Sequence, residues 1–210
     1  MAALKLSLTP KTLRLPRLPS ALQDLQAVIF DLDGVICNTD DLHYRSWEIA
    51  LQGTGIPFNR SINDRLRGLN RTASLQVLIA GLIIPPWMQK QILEVKNEAY
   101  IQSLQQIGPQ NLLPGVMHLL LEIKDAGLCL GIASGSQHAV TILERLGVLP
   151  LTSTVCDGLT VTQSKPAPDP YLFVARSLGL HPAACIAIED SSAGVQSARE
   201  AGMCVVGVGG

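Results

Sequence analysis

Short, wholly apolar runs alternate with longer stretches of helical spacing, and their order along the chain predicts an architecture. Ala27–Phe30 is apolar at every position, the pattern of a strand buried on both faces. From Thr39 the pattern turns helical. Leu42, Ile49 and Leu51 recur among polar positions, and Gly53 and Gly55 close the segment as glycines close helices. Helical spacing continues to Leu104 without β-branched runs. After Pro114-Gly115 the rhythm changes to strand and helix in turn. The spacing predicts strands over 128–133, Thr154–Cys156, 185–188 and 204–208, between helices that end at Gly127, Gly147, Gly179 and Gly202. Glycines just past helix ends are expected in the left-handed capping conformation. Asp169-Pro170 predicts an N-cap followed by proline at the first helical position. Repeated strand–helix units specify a parallel sheet covered by helices on both faces. The predicted fold is therefore α/β. It has a parallel, Rossmann-like core sheet built from residues 25–38 and 108–210, an inserted helical cap at 39–107, and a disordered leader at 1–24.

No segment predicts a membrane span. One apolar, charge-free stretch, 72–89, is interrupted by Pro85 and Pro86. Its apolar centre, 77–84, is far shorter than the roughly 20 residues a spanning helix needs, and reads as a buried helix. The N-terminus carries Lys5, Lys11, Arg14 and Arg17 before its first acid, Asp24. It lacks the continuous apolar block of a secretory signal, and Pro10, Pro16 and Pro19 prevent a long amphipathic helix. A leader on a cytoplasmic protein is expected, in preference to an organelle transit peptide.

Composition narrows the function classes. The chain has 210 residues, room for one to two domains. Sixteen Lys plus Arg against 17 Asp plus Glu give a formal charge of −1, which argues against a nucleic-acid surface. Aromatic residues at 4% give little material for base stacking. With 47% apolar and 16% charged residues, general disorder is excluded. Five cysteines without a C-x-x-C pair read as reduced thiols, most of them small core residues.

The chemistry gathers at the predicted strand ends, where ligands sit in such sheets. VIFDLDG places Asp31 and Asp33 two apart, so both project to the same side. Alone, an acidic turn relieved by Gly34 would explain them equally well. IASGS places Ser134 and Ser136 before a helix N-terminus, which can hold an anion, although a hydroxyl cap is the default reading. SKPAPDP puts Lys165 in a proline-framed loop, and IAIEDSSAG puts Glu189 beside Asp190. Four strand ends aimed at one rim outweigh the separate bland readings. Carboxylate oxygens suit Mg²⁺, and a carboxylate beside such an ion can attack phosphorus. The combination predicts a phosphoryl-transfer site.

These ordered motifs resemble the haloacid-dehalogenase-like superfamily over 28–210. Within it, FDLDGVICNTDDLHYRSWEIA, LRGLNRTASL, LLPGV and SKPAPDPYLF are similar to the beta-phosphoglucomutase family. The resemblance implies that Asp31 is the nucleophile and Asp33 the general acid/base. It implies Mg²⁺ held by Asp31, the Asp33 carbonyl and Asp190, with Glu189 close by. Ser134 and Lys165 would hold the transferring phosphate, and Gly135, Ser136, Gln137 and His138 would line the substrate site. The implied cycle interconverts beta-glucose 1-phosphate and glucose 6-phosphate through an aspartyl phosphate and a glucose 1,6-bisphosphate. His138 stands where the family commonly has an amide, and Gln102 where a lysine is expected.

A mutase must also grip a second phosphate and exclude water. LRGLNRTAS supplies Arg67, Arg71 and Ser74 around Gly68 and Leu69, and an arginine can hold phosphate bidentately. Thr39, His43 and Trp47 are spaced four apart and share one helical face. His43 is expected near the acid/base carboxylate, whereas Trp47 reads more readily as packing. The alternatives are a sugar-phosphate phosphatase of the same fold and a catalytically idle phosphosugar-binding protein. The expected partner is a small phosphosugar, with no nucleic acid and no membrane. A monomer is expected, although the apolar strand in MCVVGV precedes Gly210, where the family continues with a further strand and helix. An unpaired edge of that kind favours association and lowers stability.

Overall fold

The computed structural model describes residues 24–209. The expected leader falls, but for Asp24, outside them. Five parallel strands form one sheet: β1 (Ala27–Phe30), β2 (Cys129–Ala133), β3 (Thr154–Cys156), β4 (Cys185–Glu189) and β5 (Cys204–Gly207), in the order β3-β2-β1-β4-β5. The apolar run of β1 has its reason here. It is the central strand, with Phe30 in register with Ile132 of β2 on one side and Ile188 of β4 on the other. All four of its residues are buried. β5 is the outer strand on its side among the described residues, and Cys204 and Val206 are exposed on it.

Two apolar layers hold the sheet. On one face Val28, Phe30, Leu130 and Ile132 pack with α5 (Val116–Asp125) and α6 (Ala139–Leu146). On the other, Ala27, Ile29, Cys185 and Ala187 meet α7 (Asp169–Ser177) and α8 (Ser192–Glu200). The small side chains on that second face let the helices approach closely. A Cβ at Gly131 of β2 would collide with Val174 of α7. The α7 start differs from expectation by one residue: Pro168 is the cap and Asp169 is already helical.

Between β1 and β2 stand α1 (Asp40–Leu51), α2 (Arg60–Asp64), α3 (Arg71–Leu78) and α4 (Pro86–Leu104), the inserted helical unit. It has its own apolar cluster, in which Trp47, Leu51, Leu66, Leu75 and Ile92 are buried. α4 serves two clusters, because its Tyr100 and Leu104 belong to the sheet-side layer. The expected buried helix over 77–84 is corrected. α3 stops at Leu78, Gly81 turns the chain at φ 80°, and Pro86 opens α4. Leu82 and Ile83 are exposed, Ile83 completely. Among the described residues no helix is long and apolar enough to cross a membrane.

Candidate active site

A cleft lies between the carboxyl ends of β1, β2 and β4 and the inserted helices. Asp31, the residue after β1, donates its N–H to the Ile188 carbonyl at 2.9 Å, so the sheet itself sets its height. Lys165 is buried directly behind it. Its Nζ donates to Asp31 Oδ1 at 2.7 Å and also to Glu189 Oε1. Burial opposes the Lys165 charge, but Asp31, Tyr171 and Glu189 together outweigh it and raise its pKa. Burial pushes the Asp31 carboxyl above the ordinary carboxylate range, with Lys165 the chief opposing influence.

Glu189 is fully committed. Oε1 accepts from Lys165 and from Tyr171 Oη (2.7 Å), while Oε2 accepts from Ser191 Oγ (3.1 Å) and the N–H groups of Asp190 and Ser191. Its place is beneath the floor, fixing Lys165 and the turn into α8. Asp31, Glu189 and Asp190 can each offer an oxygen within 4.8 Å of the others, a hard-oxygen set that fits Mg²⁺. With Glu189 saturated by donors, Asp31 and Asp190 are the carboxylates open to an ion. Burial and then Glu189 push the Asp190 carboxyl up to about 6. Gly34 makes room for it: at φ 87°, a side chain there would be strained and would strike the Asp190 carboxylate.

Asp33 accepts a hydrogen bond from Thr39 Oγ1 and lies 3.9 Å from His43 Nε2. Its carboxyl is raised by burial, with the Thr39 bond opposing. Burial, followed by the charges of Lys96 and His138, holds His43 well below the usual histidine value. At neutral pH the His43–Asp33 approach is therefore no ion pair.

The helical wall carries the positive charge. Arg71 donates to Gln137 Oε1 at 2.9 Å, joining α3 to the loop after β2. Arg67 pairs with Asp40 and lies 3.7 Å from both Asp64 and Asp190. It is engaged by carboxylates rather than free. Gly68, Leu69 and Ser74 line the same wall, and Trp47, a buried member of the helical cluster, also borders the cleft. Gly135, Ser136, Gln137 and His138 line the opposite side.

Thr39, Ser134, Lys165 and Glu189 do not line the cleft; each is at most 1% exposed. They buttress residues that do. Ser134 Oγ, for example, accepts the Ser136 N–H at 3.0 Å.

Sequence reasoning missed Asp40, Asn63, Leu66 and three residues of α4: Lys96, Asn97 and Tyr100. Lys96 corrects the expectation attached to Gln102, which is exposed. The lysine of this helix enters the cleft at Lys96, 3.0 Å from His43 Nδ1 and 4.2 Å from the Tyr100 ring centre. Burial, then Arg71, lowers its pKa to about 7. The only available signal was the i, i+4 spacing of Lys96 and Tyr100.

Fold and rim together define a class: a Rossmann-like α/β core with acidic strand tips beneath a helical insert. The chain belongs to the haloacid dehalogenase-like hydrolase family, which matches residues 28–208. It is 38% identical to the beta-phosphoglucomutase of Bacillus subtilis over 189 residues, 88% of this chain and 84% of the relative. It is 28% identical to the phosphorylated carbohydrates phosphatase of Thermotoga maritima, covering 85% and 82%. The crystal structure of a beta-phosphoglucomutase from Clostridium difficile superposes with a TM-score of 0.83 at 32% identity, covering 89% and 85%.

Proposed function

We propose that the protein is a Mg²⁺-dependent phosphosugar phosphotransferase that interconverts beta-glucose 1-phosphate and glucose 6-phosphate. One observation carries this reading beyond simple hydrolysis. The cleft has an acidic floor for one phosphoryl group and a separate end, where Arg71 and Lys96 of the inserted helices face His138 of the loop after β2, in which a second phosphate can rest. The similarity to beta-phosphoglucomutases supports it.

In this reading Asp31 attacks phosphorus. The Asp31–phosphorus bond forms as the bond to the sugar oxygen breaks, and Asp33 gives that oxygen its proton. In the other half-reaction Asp33 takes the proton from the free hydroxyl of a glucose monophosphate, whose oxygen bonds to phosphorus as the Asp31–phosphorus bond breaks, giving glucose 1,6-bisphosphate. Asp33 must turn away from Thr39 to do this. Lys165 holds positive charge behind Asp31 throughout. Asp31, Asp190 and the Asp33 carbonyl would hold Mg²⁺, which would supply positive charge to offset the negative charge that builds up during transfer. Substrate filling the cleft excludes water from the aspartyl phosphate.

The test is incubation with beta-glucose 1-phosphate, Mg²⁺ and a sugar-bisphosphate primer. Glucose 6-phosphate in large excess over free phosphate is the expected result. Free phosphate in excess would make the protein a phosphosugar phosphatase, the reading favoured by the Thermotoga relative. No turnover of either kind would leave a binding protein.

A further inference from the structure

His138 is the one titratable side chain of the loop after β2, and its position is fixed from the opposite side of the cleft. Its ring Nε2 lies 2.8 Å from Asn97 Oδ1 of α4. An amide oxygen only accepts, so Nε2 carries the proton. That leaves Nδ1 as the site that titrates. The ring also meets Tyr100, with centroids 5.9 Å apart, and Tyr100 in turn stacks on His43 at 4.3 Å. The main-chain N–H of His138 is tied to Ser136 Oγ at 3.2 Å. The imidazole is therefore held in one orientation and one tautomer.

The groups around it are mostly cationic. Arg71 faces it from α3 and Lys96 from α4, His43 stands beyond Tyr100 on α1, and Asp157 opposes them from the turn after β3. Burial first, then Arg71 and Lys96, keep the ring below the usual histidine value. An anion among these groups reverses that balance. Negative charge close to an imidazole favours its protonated form, and a protonated Nδ1 becomes a second donor.

We propose that the imidazole of His138, oriented by Asn97, takes up a proton from solvent as the second anionic group of the substrate binds, and thereby favours a substrate that carries such a group. This rests on the two-ended cleft argued above. The proton comes from water and returns when the anion leaves, so the step is balanced without another reactant. A neutral sugar end would find only a weak acceptor at Nδ1. A phosphate end creates its own donor there.

The experiment uses the full chain, with inorganic sulfate as an anion that does not itself titrate near neutrality. Long-range ¹H–¹⁵N spectra report the state of each histidine ring, and the His138→Asn variant identifies its signals among the four histidines. At pH 7 without sulfate the expected state is neutral and protonated at Nε2. At saturating sulfate both ring nitrogens should carry protons. Sulfate affinity should rise toward low pH, by at most about tenfold per pH unit for one proton, and His138→Asn should flatten that rise. Asn97→Ala should mix the tautomers and weaken the sulfate response severalfold. Arg71→Ala separates this inference from the reading beneath it. If Arg71→Ala binds sulfate as tightly as the parent, or if no sulfate binds at all, the second-anion subsite fails and this inference with it. If Arg71→Ala loses sulfate while His138 of the parent stays neutral at saturation, this inference alone is overturned.

Discussion

Lys165 makes no contact with bulk water, yet it pairs with two buried carboxyl groups at once, Asp31 and Glu189. Burying those charges is tolerable only because the ammonium sits between them, and removing one member of such a group leaves the rest uncompensated. Lys165→Met should therefore destabilise the fold by about 3–5 kcal/mol, measured by urea unfolding at pH 7. The deficit should shrink toward pH 5, because burial already raises the Asp31 carboxyl and protonating it removes an unpaired charge. A loss below about 1 kcal/mol would show that the pair is satisfied by other means. This residue was legible in the sequence through its proline-framed motif, and Asp31, Asp33, Glu189 and Asp190 because each sits at or just past a strand end. Asn97 and Lys96 were not. They reach the cleft through the packing of α4, a long helix of mixed polarity in which one lysine carries no distinguishing pattern.

At the scale of elements, periodicity located the strands well because the centre of the sheet is buried on both faces. The run Ala27–Phe30 needed no partner information to be read. The same signal failed over 77–84, since a short apolar run does not distinguish a buried helix from an exposed turn, and Gly81 decided for the turn. Nor does spacing reveal how closely layers approach. Gly131 of β2 lets α7 sit against the sheet, and an added Cβ would meet Val174. Gly131→Ala should cost about 1–3 kcal/mol by overpacking. Val174→Ala in the same chain should recover part of that loss, although alone it is also destabilising. The double-mutant cycle, read by thermal and denaturant unfolding, should show a coupling of about 0.5 kcal/mol or more. Simple additivity would mean that α7 shifts freely and that the close approach is not a constraint.

For the molecule as a whole, the cleft is the seam between two apolar bodies, the cluster of the inserted helices and the layer beneath the sheet, and α4 belongs to both. Lys96 sits in that seam, 4% exposed, with the His43 ring nitrogen as its one hydrogen-bonding neighbour among the described residues. Its burial is thus created when the helical unit settles on the sheet. Burial and Arg71 bring its pKa down to about 7, whereas a lysine in the unfolded chain titrates near ~10.4. Below about pH 7 both states are protonated and the folded protein bears the whole cost of the buried charge. Between the two values the unfolded chain binds more protons, so the cost falls and stability from this group rises with pH. Lys96→Met removes the charge while keeping the length of the side chain. The variant should exceed the parent in unfolding free energy at pH 6.5. Its advantage should fall by up to about 1.4 kcal/mol per pH unit toward pH 9, measured by urea titration of both proteins in matched buffers. Because only the difference between the two chains is read, titration of other groups common to both largely cancels. An advantage that stays constant across this range would mean that Lys96 keeps an ordinary pKa and reaches solvent. The seam would then be open enough to hydrate it, and the cleft could not keep water from an aspartyl phosphate without first closing further.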